Sequence, residues 1–206
     1  MGAQPRGVVV VGASAGGVEA LCAMVAGIPA GLPVCVLVVL HLPAGGKSSL
    51  PAILDRAGPL SAAVAVDGGP LTAGHVHVAP PDQHLAVTDR TTTLLGGAPE
   101  HGHRPSINVL FRAAARAWRS AVTAVLLSGA LDDGVDGLLA VARKGGRVVV
   151  QDPADAIQPY LPANALRRLT PDHVLPAAGI GPLLATTPAA RWHTPGRSRF
   201  DERAEA

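Results

Sequence analysis

Apolar residues in this chain come in short unbroken runs separated by longer stretches of helical spacing. Residues 7–11 and 34–40 are continuous runs dominated by valine and leucine, the mark of strands buried on both faces. Residues 17–26 between them and 47–56 after them repeat apolar positions at helical intervals. Residues 60–66 read as a further strand. The segment 67–100 differs: turn signals at Gly68-Gly69-Pro70, Pro80-Pro81-Asp82 and Gly96-Gly97 bound short strands at 75–78, 85–88 and 91–95, including a hairpin. Helical spacing returns over 105–119, with Pro105 accommodated in the first turn. A strand at 122–127, a helix at 134–144, a strand at 147–151, a helix at 161–169, a short strand at 173–175 and a final short turn at 181–185 complete the pattern. This alternation predicts a single α/β domain with a doubly wound, mainly parallel, Rossmann-like sheet and a small antiparallel hairpin at one edge. Periodicity fades from Pro188 onward, where Arg, Pro and Ser accumulate. The domain is therefore expected over 1–187 and a disordered tail over 188–206.

Composition narrows the class. Of 206 residues, 48% are hydrophobic and 16% charged, which excludes a wholly disordered chain. With two Trp, two Phe and one Tyr, the core must be aliphatic, as in a buried parallel sheet. Seventeen basic residues against fifteen acidic ones give no basic footprint for nucleic acid. Cys22 and Cys35 sit in apolar runs and form neither a disulfide framework nor a metal-type pair; buried thiols in a reducing cytosol are expected. Residues 20–46 carry no Asp, Glu, Lys or Arg, but Pro29 and Pro33 interrupt them. The purely apolar stretch 34–40 is far shorter than the ~20 residues of a membrane span. A cytoplasmic protein without membrane insertion, nucleic-acid partner or cofactor is expected.

The most informative segment is Gly12-Ala13-Ser14-Ala15-Gly16-Gly17, between the first strand and the first helix. A dinucleotide fingerprint would require glycine at position 14, and a P-loop would require a Gly-Lys-Ser/Thr that is absent. The segment instead fits Gly-x-Ser-x-Gly, a serine presented on a sharp strand-to-helix turn, although Ser14 alone would serve equally as a helix cap. The N–H groups of Ala15 and Gly16 are candidates for binding an oxyanion. His41 follows the second strand and Asp133 follows the strand at 122–127. In a doubly wound fold these three positions meet in the crevice beyond the carboxyl ends of the strands. There a serine, a base and an orienting carboxylate make a nucleophilic triad. Their order, Ser-His-Asp, differs from the Ser-Asp-His order of α/β-hydrolases.

Over residues 8 to about 184 the chain resembles the catalytic domain of the chemotaxis protein-glutamate methylesterases, the CheB family. The resemblance is carried by segments 12–17, 40–43, 78–84, 103–111, 127–134 and 151–162, in that order. It implies hydrolysis of glutamyl methyl esters on chemoreceptor-like signalling proteins, and deamidation of receptor glutamines. It also implies catalytic roles for Ser14, His41 and Asp133. The family also leads one to expect a phospho-receiver domain. Only six residues precede the first strand here, so any receiver control is expected to come from a separate regulatory protein. Where the family has Gly-Met-Gly-Asn-Asp, this chain reads Gly129-Ala130-Leu131-Asp132-Asp133. Ala130 thus replaces a methionine near the active site, and Asp132 adds a negative charge expected to alter substrate choice or the surroundings of His41. Tyr160-Leu161-Pro162 replaces Gly-Met-Pro and is expected to reshape one wall of the cleft. These departures motivate a rival reading, a receptor-binding module whose catalytic residues have decayed.

The remaining histidines carry less. His75 and His77 share one side of a strand and, with His101 and His103, suggest a metal site. No cysteine or nearby carboxylate completes a ligand set, so ordinary surface histidines and no metal are expected. Arg104 either orients a substrate or ties its loop to the sheet.

Overall fold

The computed structural model describes residues 3–41 and 48–186; the expected tail over 188–206 lies outside them. Seven strands form one sheet: β1 (Gly7–Ala13), β2 (Val34–Leu40), β3 (Ser61–Val64), β4 (His75–Val78), β7 (Val122–Leu126), β8 (Arg147–Gln151) and β9 (His173–Leu175). Their order is β3-β4-β2-β1-β7-β8-β9 and every pairing is parallel. Parallel neighbours need a crossover, which helices supply for most pairs and the helix-free segment 65–74 supplies between β3 and β4. β1 is central. The chain runs outward from it through β2 on one side and later resumes through β7 on the other, so the loops after β1, β2 and β7 meet at the point where winding reverses.

Successive residues of β1 feed two cores. Val8 and Val10 face a cluster with Ile107, Leu110, Phe111, Leu138 and Leu161, contributed by α3 (Ile107–Trp118), α4 (Val135–Arg143) and α5 (Tyr160–Arg168). Val9 and Val11 face Leu21, Met24, Leu54, Ile180 and Leu184, contributed by α1 (Gly17–Ala26), α2 (Leu50–Ala57) and α6 (Ala177–Ala185). Cys35 lies fully buried on β2, and burial pushes its thiol up to about 12.

The structure adjusts several expected boundaries. The last element is a nine-residue helix, α6, rather than a short turn at 181–185. Pro182 and a nearly uniform apolar composition hide its period. α3 starts at Ile107, with Pro105 before the helix and Ser106 at its N-cap. Residue 47, the expected start of the second helix, lies outside the described residues, and α2 begins at Leu50. The hairpin β5 (His84–Val87) and β6 (Thr92–Leu95) forms a two-stranded sheet of its own. It is fastened to α3, where the Trp118 indole N–H donates to the Thr88 carbonyl at 2.8 Å.

Candidate active site

Ser14 stands one residue beyond β1, half-exposed. Its N–H donates to the Ser128 carbonyl at 2.9 Å, and the Gly17 N–H donates back to the Ser14 carbonyl at 2.9 Å, closing the turn. Gly16 adopts φ 70° at the start of α1. A side chain there would be strained by its backbone and would lie 2.6 Å from Ile157 and 2.7 Å from Ser128 Oγ. Gly129 allows an equally close approach, since a Cβ on it would sit 2.9 Å from Ser14 Cβ.

Ser128 joins three loops at this spot. Its hydroxyl donates to the Ala15 carbonyl at 2.8 Å and accepts the Gln158 N–H at 2.9 Å. Its backbone N–H donates to Gln151 Oε1 at 2.8 Å. Among the described residues, nothing accepts the N–H groups of Ala15 and Gly16, which leaves two donors beside Ser14.

His41 leaves β2 with its N–H on the Ala13 carbonyl at 3.1 Å. Its Nε2 lies 2.9 Å from Asp133 Oδ2, and the two side chains are only 8% and 2% exposed. Asp133 is held further by the start of α3. Its Oδ1 accepts the Ser106 hydroxyl at 2.9 Å and the Asn108 N–H at 3.1 Å, while Oδ2 also accepts the Ile107 N–H at 2.8 Å. The carboxylate thus caps α3 from another loop, at the end where a helix favours negative charge. Burial opposes its ionisation. Even so, hydrogen bonds from His41 and from the N–H groups of Ile107 and Asn108 hold its carboxyl below the usual carboxylate range.

An ionised Asp133 only accepts, so His41 Nε2 carries a proton, and in the neutral ring Nδ1 is left as an acceptor. Nδ1 is buried and has no hydrogen-bond partner among the described residues. No hydrogen bond joins Ser14 to His41 among the described residues. The structure therefore brings His41 and Asp133 into contact and places Ser14 on the adjoining loop.

Three residues around this pair lie in segment 103–111, which carries the family resemblance, but the sequence reading gave none of them a place beside His41 or Asp133. Ser106 and Asn108 are buried, and Asn108 Oδ1 accepts the N–H groups of Gly134 and Gly137 at 3.1 and 2.7 Å, fixing the loop that carries Asp133. The third, His103, is no ordinary surface histidine: its ring stacks on that of His41, with centroids 3.7 Å apart and planes 10° from parallel. A serine just before a helical run was the one available signal for Ser106. His103 stood out only as a possible metal ligand and as the first residue of segment 103–111.

Other candidates sit elsewhere. Arg104 is engaged by Asp82 Oδ1, through Nε at 2.9 Å and Nη2 at 2.5 Å, and by the Gly97 carbonyl. It ties its loop to the hairpin region. Asp132 is exposed and lies 3.6 Å from His101 Nδ1, so the added charge meets His101. Ala130 is exposed beside Gly129. Leu131 is 63% exposed with φ 62°, a conformation that suits the glycine expected there. Tyr160, 65% exposed, opens α5. Among the described residues no group of three or more His, Cys, Asp or Glu side chains is arranged to hold a metal ion, and no helix is long and apolar enough to cross a membrane.

Known proteins share this arrangement of fold and loops. Residues 9–184 match the family model described as CheB methylesterase. The chain is 44% identical over 184 residues to protein-glutamate methylesterase/protein-glutamine glutaminase 3 of Anaeromyxobacter dehalogenans, covering 88% of this chain and 54% of that protein. It is 41% identical over 152 residues to protein-glutamate methylesterase/protein-glutamine glutaminase 4 of Myxococcus xanthus, covering 73% and 43%. The chain spans about half the length of these curated relatives. The crystal structure of the Thermotoga maritima CheB methylesterase catalytic domain superposes with a TM-score of 0.83 at 30% identity, covering 86% of this chain and 96% of that one. With the family match spanning nearly the whole described fold, the chain belongs to the CheB methylesterase family.

Proposed function

We propose that this protein hydrolyses glutamyl methyl esters on chemoreceptor-like signalling proteins, and deamidates glutamine side chains there, with Ser14 as nucleophile, His41 as base and Asp133 as orienting carboxylate. The observation that carries the reading is the buried His41–Asp133 pair, whose Nδ1 has no other hydrogen-bond partner among the described residues. Ser14 Oγ attacks the ester carbonyl while its proton passes to His41 Nδ1. Asp133, already ionised and fourfold hydrogen-bonded, stabilises the imidazolium that forms. The N–H groups of Ala15 and Gly16 receive the oxyanion. Collapse expels methanol, which takes the proton from His41, and water then cleaves the acyl-enzyme to leave a glutamate carboxylate and free Ser14. A glutamine side chain follows the same course with ammonia as leaving group.

Residues 1–187 constitute the catalytic unit in this reading, and a separate receiver protein is the regulatory partner. The two unpaired cysteines suit the reducing cytoplasm where such signalling takes place. The rival, a decayed binding module, has less behind it, because decay would relax the buried donors gathered around Asp133. The decisive assay is methanol release from a methyl-esterified chemoreceptor fragment. Wild type is expected to release it and Ser14→Ala to release none above background. Binding of the fragment by wild type without any methanol would favour the module instead.

A further inference from the structure

His41 is anchored by one side-chain hydrogen bond, Nε2–H to Asp133 Oδ2. A single bond fixes a point and not a plane. That bond alone would leave the ring to rock about the pivot and carry Nδ1 with it. A second element supplies the plane: His103, on the segment leading into α3, stacks on the imidazole at 3.7 Å and 10°. His103 is itself fastened. Its N–H donates to the Glu100 carbonyl at 2.9 Å and its carbonyl accepts the Glu100 N–H at 3.1 Å. The Glu100 carboxylate is clamped by Arg112 of α3 at 2.7 and 2.5 Å. The helix that presents Ile107 and Asn108 to Asp133 thus also anchors the segment that stacks on His41.

We propose that His103 is a positioning residue for His41: while neutral it holds the ring in the plane that serves Ser14 through Nδ1, and on taking a proton it disables the site. The inference rests on the reading of Ser14 and His41 as nucleophile and base. When His41 accepts the serine proton, the resulting cation lies on the face of a neutral aromatic ring, a favourable arrangement. If His103 is protonated, a second cation lies 3.7 Å from the first, which disfavours the same step. The reaction's own proton goes from Ser14 to His41 and on to the leaving group, and His103 exchanges only with solvent.

The charged and titratable groups around His103 come from several elements. His41 reaches it from the end of β2, and Asp133 from the loop after β7. Asp132 of the same loop acts through its contact with His101. Arg112 of α3 acts through Glu100. His101, Arg104 and Glu100 belong to its own segment. Burial first, and the neighbouring His41 second, press His103 toward the neutral form, so the stack is in its working state at neutral pH.

The test compares wild type, His103→Phe and His103→Ala by the rate at which a fluorophosphonate adds to Ser14, followed by intact mass across pH, with folding checked by circular dichroism. His103→Ala should label about tenfold more slowly near about pH 8. His103→Phe keeps an aromatic face and should stay within about threefold of wild type there. At acid pH His103→Phe should retain more of its rate than wild type, because it carries no ring at position 103 that can take a proton. A second readout is the low-field proton signal of His41 Nε2–H, sharp in wild type and in His103→Phe and broadened by solvent exchange in His103→Ala. Equal rates and pH profiles in all three proteins, or an equally sharp signal in His103→Ala, would overturn the positioning role. Failure of wild type to label at Ser14 would overturn the nucleophile reading itself, and this inference with it.

Discussion

The two sides of the site are built differently. On one side Asp133 is almost fully buried and receives four donors from two segments, the end of β2 and the start of α3, so its position is fixed several times over. On the other, Ser14 is half-exposed on a tight loop, and Ala130, Leu131 and Asp132 stand in solvent. The contrast separates two tasks. Handling a proton requires a carboxylate that stays ionised in a dry environment, which a buried network supplies. An exposed edge leaves room for a bulky substrate, and substitutions there do not touch the buried network. The departures from the family pattern, at 130–132 and 160, fall on the open side.

The largest effect expected from this contrast is loss of the reaction. Ser14→Ala or His41→Ala should abolish ester hydrolysis, and Asp133→Asn should lower it by ~10²–10⁴-fold, read as kcat on a methyl ester substrate. Asp133→Asn should also destabilise the fold by about 2 kcal/mol or more, because the amide NH₂ would face hydrogen-bond donors. That cost depends on pH with a definite sign. The Asp133 carboxyl is held below its ordinary value. Its contribution is therefore complete above the ordinary carboxylate pKa of ~3.9 and is lost as pH falls through its lower folded value. Denaturation of the two proteins should differ most at neutral pH and converge in acid; a gap that widened in acid would contradict the network.

Gly16→Ala comes next. Its φ of 70° and the 2.6 Å approach to Ile157 should cost about 1–3 kcal/mol and slow serine labelling by about tenfold or more. Unchanged stability and labelling would mean that the loop tolerates repacking. The smallest effect belongs to Arg104→Ala. Its ion pair with the 65%-exposed Asp82 contributes about 0–1 kcal/mol, and kcat/KM should stay within about threefold of wild type. A larger loss, concentrated in KM, would return Arg104 to the substrate side.

Much of this was readable from sequence because it is local. Uninterrupted valine runs mark β1 and β2, and residues one step beyond strand ends, Ser14 and His41, must share the crevice once the strands pair. Asp133 follows from the same rule applied to β7. The unread parts depend on contacts distant in sequence. Ser106 and Asp133 are separated by 27 positions, and no spacing or strand-end rule connects them. His103 resembles any other loop histidine until the ring it covers is in view. α6 was underestimated because a helix made almost wholly of small and apolar residues carries no polar face to reveal its period.

The most direct test of the central claim is site-resolved mass spectrometry of the purified protein after a serine-reactive fluorophosphonate, with His41→Ala and Asp133→Asn treated alongside. A nucleophile activated by the buried pair predicts adduct on the peptide carrying Ser14 in wild type, far less in Asp133→Asn and none in His41→Ala. Adduct on Ser14 at equal rates in all three proteins, or on another residue, would contradict it.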